Sequence, residues 1–141
     1  MFLLDTNVLS DSTKLAPHPA VTRWLSTQSP ATQFVSVISL AEANYGIEKL
    51  PAGRKADNLR QWLGSVIIDF GERLLPVDAE IAMAQARIRR ASENDRRTMP
   101  ATDAFIAATA EVHGLTLVTR NVRDFEAWGG PVFNPWGIDA N

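Results

Sequence analysis

Short apolar runs that end on a charged or polar residue constrain this chain more than any other feature. Phe2-Leu3-Leu4 begins next to Met1 and stops at Asp5-Thr6-Asn7. The run is too short for a core helix and shows no apolar–polar alternation. It reads as a strand buried on both faces, and such strands belong to parallel sheets. The same reading predicts strands at Phe34 to Val37, Leu74 to Val77, Thr116 to Thr119 and Val132 to Phe133. Helical patterns lie between them at Pro19 to Ser26, Ser39 to Lys49, Ala56 to Val66, Ala79 to Asn94 and Thr102 to His113. In Ala56 to Val66, the residues Leu59, Trp62, Leu63 and Val66 fall on one apolar stripe. Gly114 follows the last helix as a natural C′ residue. Strands alternating with helices predict an α/β fold: a central parallel sheet of about five short strands with helices on both faces. Two consecutive helical patterns between the second and third strands exceed a simple βαβ count. They read as an appended helical arm or lid.

Composition narrows the function. A chain of 141 residues fits one domain, 1–141, with a substantial core. The formal charge of −2 gives no bulk attraction to nucleic acid, so local arginines and a bound cation must supply it. The chain has no Cys, which excludes disulfides and thiolate metal sites. No apolar stretch reaches the roughly 18 residues of a membrane span. Phe2-Leu3-Leu4 lacks the length and basic flank of a signal sequence. The expected location is the cytoplasm, with no membrane contact.

Asp5 stands at the carboxyl end of a buried strand, where open α/β sheets build their sites. Glu42, Asp103, Asn121 and Asp124 recur in comparable settings. Singly, each has a structural explanation. Asp5 suits an N-cap or Asx turn. Ser39-Leu40-Ala41-Glu42 matches a capping box, with Ser39 as N-cap and Glu42 at N3. Asp103 falls near the positive end of a helix dipole. Asn121 and Asp124 suit a plain strand-to-helix turn. Jointly, these positions converge at the carboxyl edge of a parallel layer. Clustered carboxylates repel and raise one another's pKa. A hard cation such as Mg²⁺ at their centre removes that conflict.

The motifs also resemble a family. Leu3-Leu4-Asp5-Thr6-Asn7-Val8-Leu9-Ser10 is similar to the opening of a PIN domain. Ser36 to Ile47 resembles its second motif, Thr102 to Ala110 its third, and Thr119-Arg120-Asn121 with Asp124-Phe125 its fourth. The tail Val132-Phe133-Asn134-Pro135-Trp136 resembles the end of FitB-type members, with Trp136 packing to close the last strand. The resemblance runs along essentially the whole chain. It implies a VapC/FitB-like toxin of a toxin–antitoxin pair: a Mg²⁺- or Mn²⁺-dependent ribonuclease silenced by a partner antitoxin. The implied assembly is a homodimer or a toxin–antitoxin hetero-oligomer.

On that resemblance Asp5, Glu42 and Asp103 fall on three acidic metal-site positions, and Asn121 completes the catalytic set. Asp5 and Asp103 would be the principal ligands. Glu42 either ligates or holds and deprotonates the attacking water. Many relatives carry Asp where this chain has Asn121. An amide oxygen can ligate but brings no charge, and Asp124 offers the alternative carboxylate. Asn7 and Thr119 are candidate supporting residues; Thr119 either hydrogen-bonds a carboxylate or is an ordinary strand Thr. RNA contacts are expected from Arg87, Arg90, Arg97 and Arg120, within a basic run that also holds Arg89 and Arg96, with Arg123 beside Asn121. His18 and His113 read as structural or surface residues. A haloacid-dehalogenase-like phosphatase wants a second Asp where Asn7 stands. A dinucleotide-binding domain lacks its Gly-rich turn. The alternative function is a catalytically weakened PIN-like domain that serves as a protein- or nucleic-acid-binding partner.

Overall fold

β1 (Phe2–Leu4) lies at the centre of a five-stranded, all-parallel sheet. The computed structural model describes residues 1–95 and 97–137, so Arg96 of the basic run lies outside the described residues. The other strands are β2 (Gln33–Ser36), β3 (Leu74–Leu75), β4 (Thr116–Val118) and β5 (Val132–Phe133). Their order is β3-β2-β1-β4-β5. Strands β2 and β3 are laid down on one side of β1, and β4 and β5 on the other. The order therefore reverses between β1 and β4, which is where such sheets open a crevice for ligands. All five strands match the sequence expectation within a residue or two.

The helices are α1 (Thr6–Ser10), α2 (Pro19–Thr27), α3 (Val37–Glu48), α4 (Arg54–Phe70), α5 (Ala79–Ser92) and α6 (Ala101–His113). They cover both sheet faces. Successive strand side chains point to opposite faces. Leu3 and Leu117 enter one apolar cluster with Ile81, Ile88, Ile106 and Phe125, under α5 and α6. Leu4 and Val118 enter the other with Val8, Val21 and Trp136. Trp136 is buried there, as expected from the tail. Gly114 ends α6 in the left-handed region at φ 64°, a conformation that a Cβ would oppose.

Three expectations are corrected. The surplus helices are not an appended lid. Together α3 and α4 form the crossover that carries the chain from β2 to its parallel neighbour β3. The capping box is also absent. Ser36, the last residue of β2, caps α3 by accepting from Ile38 N at 3.0 Å. Strand and helix share that residue, so Ser39 lies inside the helix, buried, and Glu42 has no capping duty. Val37, expected in the strand, is the first helical residue. His18 keeps the structural role expected of it, accepting from Ala20 N at 3.2 Å as N-cap of α2.

Candidate active site

Asp5 closes β1 and opens α1. Its backbone N donates to Val118 O of β4 at 2.9 Å, extending the ladder across the point where the strand order reverses. One carboxylate oxygen accepts from Thr6 N at 2.8 Å. The other accepts from Thr119 Oγ1 at 2.7 Å and from Asn7 Nδ2 at 3.4 Å. The N-cap reading and the site reading of Asp5 thus hold together. Thr119 follows β4 and is fully buried. Its hydroxyl donates to Asp5 and accepts from Asn7 Nδ2 at 3.3 Å and Asn121 N at 3.1 Å, which uses its whole capacity. Asn7 also accepts from Arg120 N at 3.3 Å. The network ties the end of β1 to the loop after β4 and fixes the Asp5 carboxylate.

Glu42 reaches the same edge from the second turn of α3. Its Oε1 accepts from Thr6 Oγ1 at 3.3 Å. The sequence reading missed Thr6, although its place directly after Asp5 was a usable signal. Asp103 arrives from the first turn of α6. The acids feel one another. Burial raises the Asp5 pKa, hydrogen bonds from Thr119 and Thr6 hold it down, and the Asp124 charge adds to the rise. Burial raises Glu42, and the charges of Asp5 and Asp103 add to it. Burial lifts Asp103 to about 6, with Asp5 and Asp124 adding and Arg97 opposing. Asp5 and Glu42 are linked through Thr6, and Asp103 and Asp124 enter from the start of α6 and the turn after β4, although the four are far apart in sequence.

Asp124 and Asn121 differ in placement. Asp124 sits in the 3₁₀ turn Val122–Phe125, where its charge acts on both Asp5 and Asp103. Arg97 is ion-paired with it. Asn121 is exposed and contributes its backbone N to Thr119. The arginines divide as well. Arg97 and Arg120 stand at this edge, with Arg120 lying 5.4 Å from the Trp136 ring centroid. Arg87 and Arg90 have partners of their own. Arg87 pairs with Glu111, about 12 Å along α6 from Asp103, and Arg90 pairs with Glu93 on its own helix end.

The donor set at the edge is all oxygen. Three of its carboxylates are made costly to ionise by burial and by their neighbours, which is the chemistry a hard divalent cation relieves. Among the described residues, no three carboxylates or imidazoles stand together as a closed clasp. The donors fit such an ion in kind, and gathering on it calls for side-chain rotation.

The crowding has a stability consequence. A carboxylate whose folded pKa lies above its unfolded value adds stability below about pH 4, and that stability is lost as pH rises through the folded value. For Asp103 the window runs from the ordinary aspartate value of 3.8 to about 6. Asp103→Asn should therefore stabilise the metal-free protein at pH 7 and not at pH 4. The gain is on the order of 1 kcal/mol, or about 3 °C, after discounting for a half-exposed group. Melting curves of both proteins across that range test it, and parallel curves would contradict the crowding.

A three-layer α/β domain with carboxylates gathered at its switch point defines the class, and the chain belongs to the PIN domain family. The family model of that description matches residues 2–129. Over 137 residues the chain is 37% identical to the toxin FitB of Neisseria gonorrhoeae, covering 96% of this chain and 99% of that protein. It is 34% identical over 137 residues to a VapC ribonuclease of Sinorhizobium fredii, covering 96% and 98%. A solved structure of FitAB bound to a DNA fragment matches with a TM-score of 0.90 at 35% identity, over 98% of this chain and 97% of that one. No helix among the described residues is long and apolar enough to cross a membrane.

Proposed function

We propose that this chain is a metal-dependent endoribonuclease and the toxin of a type II toxin–antitoxin pair. One observation carries the reading. Asp5, Glu42 and Asp103 converge at the switch point of a chain that aligns along nearly its whole length with a VapC ribonuclease. Mg²⁺ or Mn²⁺, when bound, supplies an activated water and neutralises charge on the attacked phosphoryl group. Asp5 and Asp103 would hold the ion. Thr119, Asn7 and Thr6 keep the Asp5 carboxylate in one orientation, so little reordering is needed when the substrate arrives. Glu42, steadied by Thr6, receives the proton from the attacking water; its raised pKa brings it nearer to neutral pH than an ordinary glutamate. Arg97 and Arg120 offer cations to the RNA backbone at the rim. The reaction takes place in the cytoplasm.

The decisive experiment uses the chain purified free of any partner, with defined RNAs and Mg²⁺, Mn²⁺ or EDTA. Cleavage that needs the divalent ion supports the reading. Metal binding without any cleavage would instead favour the binding-only alternative.

The partner is a small antitoxin. An Arg or Lys placed between Asp5 and Asp103 satisfies both and competes with the metal. Leu15, Tyr45, Ile68 and Met83 are exposed and give a partner helix apolar surface to cover. Expression of the chain alone should arrest growth in its host, and co-expression of the antitoxin should restore it. Unimpaired growth with abundant soluble protein would remove the toxin reading.

Asp124 and Asn121 are separable by calorimetry. Asp124 has the charge in the field of Asp5 and Asp103, so Asp124→Ala should weaken divalent binding about tenfold, and Asn121→Ala much less. The reverse ranking would assign the fourth position to Asn121.

A further inference from the structure

A cleft of about 460 Å³ adjoins the acid edge. Arg97, Met99, Pro100, Arg123, Asp124 and Glu126 are among its walls. Pro100 belongs to both places, because it is the N-cap of α6, whose first turn carries Asp103. A group seated in the cleft therefore lies beside the helix start that carries Asp103. Arg97 is engaged by Asp124. Arg123 and Glu126 are different. Among the described residues, neither forms an ion pair. Yet they flank one tight turn, with Glu126 N donating to Arg123 O at 3.4 Å. Side chains three apart in a 3₁₀ turn stand one above the other. Arg123 and Glu126, both exposed and without an ion pair among the described residues, keep their donors and acceptors open to a third party.

We infer that this cleft binds a guanine base beside the cut, which deepens the ribonuclease reading and rests on it. The Watson–Crick edge of guanine sets an acceptor, O6, next to two donors, N1–H and N2–H. Arg123 donates to O6. The two oxygens of Glu126 accept from N1–H and N2–H. Uracil repeats half of the pattern, with O4 as acceptor and N3–H as a single donor. Adenine and cytosine reverse it: an amino donor meets Arg123 and a bare ring nitrogen meets Glu126. Those contacts leave charged groups unpaired, which is how a site rejects the wrong ligand. Met99 and Pro100 give the ring a partly apolar wall. The expected order is guanine, then uracil, then adenine and cytosine.

The test uses nucleoside monophosphates, which contain no phosphodiester to cut. The ¹⁵N-labelled protein is titrated with GMP, UMP, AMP and CMP, and amide shifts are followed. GMP should move the amides of residues 97–99 and 123–127 and bind at least about tenfold more tightly than AMP or CMP. Glu126→Ala and Arg123→Ala, both at exposed positions, should lower GMP to the level of AMP with unchanged melting temperature. Equal affinity for all four, or shifts confined to another surface, would overturn the assignment. The same protein is then assayed on RNA. Guanine selection without cleavage of any RNA supports the cleft and sinks the ribonuclease reading. Cleavage with no guanine selection in the titration does the reverse.

Discussion

Asp5→Asn is expected to lower RNA cleavage by about a thousandfold or more while the protein folds as before. Asp5 lies where β1 meets the reversal of strand order, and its carboxylate is the one that both Glu42 and Asp103 feel. Removing its charge takes away the common point at which the proposed cation would be held. The local structure survives the change. An Asn carbonyl can still accept from Thr6 N, so the cap of α1 is kept. The new amide faces Thr119 Oγ1, which must turn its hydrogen elsewhere, at a cost of about 1 kcal/mol. Relief of burying a charge among like charges offsets that loss. Asp103→Ala should behave similarly, since its side chain holds no helix cap. Glu42→Gln should also lose activity, and with Ser36 as the cap of α3 the loss is not confounded by the helix terminus. Cleavage rates read beside melting temperatures check all three. Full activity in purified Asp5→Asn or Asp103→Ala would end the assignment.

What the sequence made legible follows from what is local. The strands were readable because a parallel sheet covered on both faces demands short unbroken apolar runs, and Leu3 and Leu4 do enter opposite cores. Asp5 stood out because a charge at the end of such a run has few other reasons to be there. The misreadings concern competition between neighbours. Ser39 looks like the cap from sequence, yet Ser36 is the cap, because the start of α3 depends on where the β2 ladder ends, which is a tertiary fact. The basic run around Arg87 looked like a phosphate surface because nothing in the local sequence shows Glu111 folding back beside it. Asn121 follows Thr119 in the motif, yet the turn at 122–125 directs the charge of Asp124 into the cluster. Convergence of Asp5, Glu42 and Asp103, with Asn121 or Asp124 beside them, follows from the α/β topology together with the family resemblance, and topology is what the apolar pattern encodes best.

Thr119→Val should lower stability by about 2 kcal/mol, or roughly 6 °C, and should move the pH dependence of activity. Valine matches the shape of threonine but not its hydroxyl, in a position with no exposure at all. The Asp5 carboxylate loses its shortest hydrogen bond, at 2.7 Å, and two donors, Asn7 Nδ2 and Asn121 N, lose their acceptor. Unmade bonds at buried polar groups cost more than made ones contribute, so the loss falls mainly on the folded state. The direction of the pH effect follows from the same bond. Thr119 donates to the charged form of Asp5 and holds its pKa down against burial. Without it the carboxyl stays protonated to a higher pH, and the acid limb of the activity profile moves upward. Thr119→Ser keeps the hydroxyl and should restore the wild-type limb even where the lost methyl costs some stability. That pairing separates positioning from packing. A Val variant that melts and titrates like the wild type would show that the hydroxyl does not set the state of Asp5.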